Sequence, residues 1–181
     1  MKTLRNTIAT VALATLVLSS YAFAQNSASA SANVKISLKK GLAIENIGGS
    51  EINFTDVVVT SSAQAPTVAA GGGAHFLVTG HPNKPVSMTF STVTLNNTSW
   101  VSSYGGGTES TMIFTPVMQH TGSESTYASG TPVSITSGNA ANLVNVNGVG
   151  NLNLWVGGSM AIAADQPQGD YIGSFSVTVA Y

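Results

Sequence analysis

Tyr171-Ile172-Gly173-Ser174-Phe175-Ser176-Val177-Thr178-Val179-Ala180-Tyr181 puts Tyr171, Gly173, Phe175, Val177, Val179 and Tyr181 on one face of an extended chain, with Ser174, Ser176 and Thr178 on the other. Successive side chains of a strand point to opposite faces, so a period of two rich in β-branched residues reads as a half-buried strand. The same period recurs near the other end, where Ala28, Ala30, Ala32, Val34, Ile36 and Leu38 alternate with Ser29, Ser31, Asn33, Lys35 and Ser37 until Lys39-Lys40-Gly41 stops the run. Between them, residues 42–47 read as extended, Gly48-Gly49 as a turn, and Ile52-Asn53-Phe54 as the opening of a strand reaching Val59. Residues 75–79 begin a further strand after Gly71-Gly72-Gly73, Gly80 and the Pro82 to Pro85 segment end it, and Val86, Met88 and Phe90 then alternate.

Residues 100–104 and 112–117 read as two strands of a hairpin around Gly105-Gly106-Gly107, and the Ser-, Gly- and Asn-rich stretch 119–150 carries short apolar pieces at 132–135 and 143–146. Leu152, Leu154 and Val156 alternate before Gly157-Gly158, Met160 and Ile162 follow, and 165–170 is a Pro/Gly turn. About eight to ten short strands and no helical periodicity predict an all-β fold, a two-sheet antiparallel β-sandwich.

The 181 residues hold six Lys+Arg and seven Asp+Glu, only 7% charged, with 43% hydrophobic residues, 19 glycines and 43 serines and threonines. That balance excludes a basic nucleic-acid binder and a charge-rich disordered chain. The absence of cysteine excludes a disulfide framework and thiolate metal ligands. Lys2 and Arg5 precede an apolar run over 7–20, and Ala22-Phe23-Ala24 supplies a small-x-small cleavage site, so 1–24 reads as a secretory signal peptide. The run is shorter than the roughly 20 apolar residues of a membrane-spanning helix. Cleavage leaves four lysines against seven acids, a net charge of −3, on a single domain at 25–181 with an N-terminal extension at 25–33. Export through the inner membrane, passage through the periplasm and residence at the cell surface or outside the cell are the expected localisation.

Runs 28–38 and 171–181 are eleven residues each, about 36 Å if fully extended, against ~17 to 20 Å for a typical strand. A long apolar edge invites pairing with another chain unless it is covered. One reading is strand addition, in which the N-terminal run (Ala28, Ala30, Ala32, Val34, Ile36) fills a vacant sheet edge of a neighbour and the contact propagates head to tail as a fibre. The other is a closed monomer, with 34–38 as its own first strand and 25–33 a frayed terminus.

The run 169–181 resembles the closing strand of bacterial pilin subunits of the chaperone-usher kind. Ala74-His75-Phe76-Leu77-Val78-Thr79-Gly80 and Trp155-Val156-Gly157-Gly158-Ser159-Met160 resemble the secreted bacterial domain-of-unknown-function family numbered 4402, and the likeness extends over nearly all of 25–181. The resemblance implies an immunoglobulin-like, pilin-like sandwich on a cell-surface fibre. Its implied partners are copies of itself or related subunits, a periplasmic chaperone and an outer-membrane usher. In such pilins a chaperone reads the alternating last-strand residues, here Phe175, Val177 and Val179 with Tyr181 at the end, and the donor role falls on the run from Ala28 to Ile36. Many pilins of this kind carry a disulfide, which this chain lacks, and their penultimate aromatic appears here as the final residue. Phe54-Thr55 stands where the family leads one to expect Phe-Gly; the extended reading of this stretch suits Thr.

His75, His81 and His120 lack ligand spacing, and Glu45, Glu51, Asp56, Glu109, Glu124, Asp165 and Asp170 fall mostly near turns. No nucleophile elbow, phosphate loop or dinucleotide fingerprint occurs. The chain is therefore read as non-enzymatic, with no cofactor. Trp100, Tyr104 and Tyr127 offer an alternative, an aromatic platform for a host or surface glycan on a monomeric adhesin. A small outer-membrane barrel is a third class, but its strands need ~9 to 11 residues throughout.

Overall fold

The structure, a computed structural model, describes residues 31–181 except 39, 50 and 105. The signal peptide read at 1–24 and Ala28 and Ala30 of the N-terminal run lie outside the described residues. Residues 38–181 form one compact unit, separate from the N-terminal one that ends at Ser37. In the latter, 31–37 carry no regular secondary structure and are exposed.

The unit Leu38–Tyr181 is all-β, with two antiparallel sheets arranged as a sandwich. In the larger sheet the order is β1 (Ala43–Gly48), β3 (Ala74–Gly80), β10 (Val149–Ala161), β6 (Thr111–His120) and β5 (Val93–Asn96). The short strands β2 (Thr67–Val68) and β9 (Val144–Val146) also pair with β10, and β7 (Val133–Ile135) pairs with β6. In the smaller sheet β4 (Pro85–Phe90) lies between β8 (Ala140–Asn142) and β11 (Val177–Ala180).

The longest strands are the central ones, β10 with 13 residues and β6 with 10, and not the two terminal runs. Gly157-Gly158 does not end β10. A Cβ at Gly157 would collide with the carbonyls of Val68 and Ala69, so glycine admits the close approach of β2. Pro116 also stays within β6, because it falls between the pairing with β5 (through Phe114) and the pairing with β7 (from Met118).

Leu152, Leu154 and Val156 point from β10 into a fully buried core with Val78, Val86, Met88, Met118 and Leu143. A second cluster joins Leu95, Phe114, Met160 and Ile162. The opposite face of β10 carries Asn153 and Trp155, and there a small polar and aromatic cluster is also buried. The His75 ring stacks on Trp155 with centroids 3.6 Å apart, and its Nε2 lies 3.0 Å from Asn153 Oδ1. Trp155 Nε1 donates to Thr121 Oγ1 at 3.0 Å, and Tyr127 packs edge-on against the indole at 5.6 Å. These partners satisfy the polar atoms that sheet-face burial would otherwise strand.

Four sequence expectations fail here. The N-terminal run read as a half-buried strand at 28–38 is exposed and without regular secondary structure over its described residues 31–38. Residues 98–104 form a short helix, α1 (Thr98–Tyr104), instead of a hairpin strand. None of its residues is buried, so no apolar stripe announces it. It is anchored instead by Asn97, fully buried, whose Nδ2 donates to the carbonyls of Thr108 and Gln168 (3.1 Å each) and whose Oδ1 accepts from Ser110 N–H at 2.8 Å. The Asn97 carbonyl also accepts from Val101 N–H at 3.0 Å.

The terminal run 171–181 is not one strand. Ile172 bridges Asn96 in the larger sheet, whereas Val177–Ala180 pair with β4 in the smaller one, so the segment crosses the sandwich. Gly173 is the crossing point, since a Cβ there would strike the Leu95 side chain and come within 3.0 Å of Val93 Cγ1.

Residues 52–59 do not form a strand either. Thr55 has φ 59, and its N–H is held by Asn53 Oδ1 at 2.7 Å. A left-handed backbone breaks the extended geometry and is unfavourable for a β-branched residue. The expectation that Thr suits an extended position at 55 is therefore wrong, and the glycine expected there fits the observed conformation better.

Replacing Asn97 with Ala leaves two carbonyls and an N–H without partners and is expected to cost about 3 kcal/mol in urea unfolding. Thr55→Gly relieves the strained φ and is expected to add about 1 kcal/mol, seen calorimetrically as a Tm rise of roughly 3 °C. His120 is partly buried, desolvation lowers its pKa from 6.5, and its Nδ1 accepts from Gly122 N–H at 3.3 Å. The unfolded chain then takes up the proton first. Stability is complete above pH 6.5 and falls as pH drops towards the folded-state pKa. Denaturant midpoints between pH 8 and 5 are expected to fall less steeply in His120→Gln, tested over ~3 pH units.

Candidate functional site

The smaller sheet ends at β11, whose ladder runs to β4 on one side only among the described residues. A groove of about 1220 Å³ lies over the second core cluster of the larger sheet, lined by the chain that leads into β11 and not by β11 itself. Its floor is Phe76, Leu95, Phe114, Met160 and Ile162, the second core cluster with one ring of β3. One wall is the chain 166–175 leading to β11, and the other is 51–57. Glu51, Asp56 and Asp170 line it, and among the described residues no lysine or arginine does.

Of the C-terminal residues singled out in the sequence, Tyr171, Gly173 and Phe175 line this groove, whereas Val177, Val179 and Tyr181 do not. Phe175 packs against both core clusters, with ring centroids 6.5 Å from Phe76, 6.3 Å from Phe90 and 6.4 Å from Phe114. Val177 and Val179 pack onto the main core. Tyr171 donates its hydroxyl to the Pro167 carbonyl at 2.6 Å and accepts from Gln166 Nε2 at 3.0 Å. Gly173 makes the crossing beneath Leu95. The Tyr181 ring is half-exposed, and its hydroxyl accepts from His81 N–H at 2.7 Å and donates to the Lys40 carbonyl at 2.9 Å. Tyr171, Gly173 and Phe175 thus help build one wall of the groove, and Val177 and Val179 belong to the strand that follows it. Of the N-terminal run, Ala32 is exposed, and Val34 and Ile36 are 97% and 79% exposed.

The aromatic platform is not assembled as three rings. Trp100 and Tyr104 pair on α1 with centroids 5.1 Å apart, whereas Tyr127 packs on Trp155 instead. Trp100 also lies against Gly107 and Gly169. Among the described residues no three His, Asp or Glu side chains gather as a metal site, and no helix is long and apolar enough to cross a membrane.

Sequence reasoning missed that 51–57 is a wall of the groove and not a strand of either sheet. The signal lay at Thr55, the position where the family resemblance calls for glycine and hence for a positive φ.

No curated protein matches the chain. Residues 55–181, from the Thr55 turn through both sheets to Tyr181, match the family described as Domain of unknown function (DUF4402). That span covers well over half of the sequence and holds every strand except β1, and on it the protein belongs to the DUF4402 family.

Proposed function

We propose that this protein is an exported, non-enzymatic subunit of a cell-surface fibre, and that residues 28–38 of one molecule lie along the free edge of β11 in the next. One observation supports this reading above the others: a three-stranded sheet ends at β11 among the described residues, and the chain leading into that strand, 166–175, walls a groove over an apolar floor. An added strand gains main-chain hydrogen bonds from that edge and apolar contacts from the floor. The N-terminal run has matching chemistry, since Val34, Ile36 and Leu38 are large, exposed and spaced two apart. Charge agrees as well: Glu51, Asp56 and Asp170 line the groove, and Lys35 and Lys39 flank the apolar positions of the run. The contact joins different surfaces of the two copies, so it does not close on itself and extends into a fibre. Delivery by a signal peptide, and handling by a chaperone and usher, complete the proposal as the pilin resemblance implies.

The mature chain is expected to give a ladder on unboiled gels and filaments under the electron microscope. The double variant Val34→Asp with Ile36→Asp changes two exposed side chains, so its unfolding free energy should stay within ~0.5 kcal/mol of wild type. Its ladder and filaments should vanish, as they should on deletion of residues 25–33. Polymers that form undiminished in both variants would sink the proposal.

A further inference from the structure

The wall formed by residues 51–59 differs from the rest of the domain. It joins no β-ladder, yet Ile52, Phe54 and Val57 are partly buried against the second core cluster. Phe54 meets Phe114 of the groove floor edge-on, with centroids 5.9 Å apart and planes at 77°. The neighbours Asn53, Thr55, Asp56 and Val58 are exposed. The inward spacing is 52, 54, 57: the left-handed turn at Thr55 inserts an extra residue and restores the apolar face beyond it. The segment therefore places alternate apolar side chains on the groove floor, as an added strand would, but without main-chain pairing.

Resting on the strand-addition reading above, we infer that residues 51–59 are a resident stand-in which occupies the groove before assembly and leaves it when residues 28–38 of a second copy arrive. The two occupants share one apolar floor, and only the newcomer can add backbone bonds along β11. Exchange is favoured because those bonds are gained and the strained φ of Thr55 is released. Stray association is discouraged, because the groove is competent only in the fraction of molecules whose stand-in has left.

The test uses the mature chain, a fluorescent synthetic peptide of residues 28–38, and hydrogen exchange read by mass spectrometry. Peptide uptake and polymerisation are expected to raise exchange across 51–59 while β10 stays protected. The double variant Ile52→Ser with Phe54→Ser should take up peptide about tenfold faster. Thr55→Gly, which relaxes the closed form without disturbing its apolar contacts, should take it up about fivefold more slowly. Uptake with unchanged protection of 51–59 and unchanged rates in both variants overturns the stand-in and leaves strand addition standing. No uptake by wild type or any variant overturns both. If the serine variant fails to fold, Thr55→Gly and the wild-type exchange pattern decide.

Discussion

An eight-stranded sheet faces a three-stranded one, and the apolar inner surface of the larger must be kept from water by something other than matching strands. Over one half, β4, β8 and β11 cover Val78, Leu152, Leu154 and Val156. Over the other half, the chain itself supplies makeshift cover. The C-terminal segment crosses diagonally and lays Phe175 on the boundary between the two clusters, and 51–57 reaches in from the far side. Much of what is irregular in the fold follows from this inequality: the sheet switch at Gly173, the bend at Thr55 and the groove between them.

The parts of the fold that were legible in the sequence are those where burial on one face imposes a period of two. Val86, Met88 and Phe90, then Leu152, Leu154 and Val156, then Phe175, Val177 and Val179 all turn inward as that period requires. Illegible parts obey tertiary constraints instead. Gly157-Gly158 resembles a strand terminator, but the backbone around β2 approaches Gly157, and Thr115 and Phe114 of β6 approach Gly158, so closely that only glycine fits inside the strand. Helix α1 has no apolar stripe, and its position is set by the buried Asn97 and by contacts that span the turn at 168. Ile52 and Phe54 have strand-like spacing, yet the Asn53–Thr55 turn diverts them. At the groove, the inward period of Phe175, Val177 and Val179 was legible as packing, whereas the opposing wall was not, because one dihedral angle decides it.

The strand-addition reading and the stand-in describe one surface in two states. The groove supplies an apolar floor and β11 an edge with no ladder partner among the described residues, and on the strand-addition proposal the two favour different occupants. A segment that supplies only side chains satisfies the floor, whereas a strand satisfies both. On the strand-addition proposal, that difference would give direction to assembly without an external energy source, provided the stand-in is held weakly enough to exchange.

Tyr181 ties the carbonyl of Lys40, 141 residues away, to the amide of His81, 100 residues away, through a single hydroxyl. Contacts of such sequence separation form late, because the entropy of closing long loops must be met before they give anything back. The entry to the first strand and the corner between β3 and β4 thus gain a shared anchor when the far end of the chain docks. Folding of this domain is correspondingly expected to be slow and cooperative, with the last residue of the chain closing contacts made by its earliest strands.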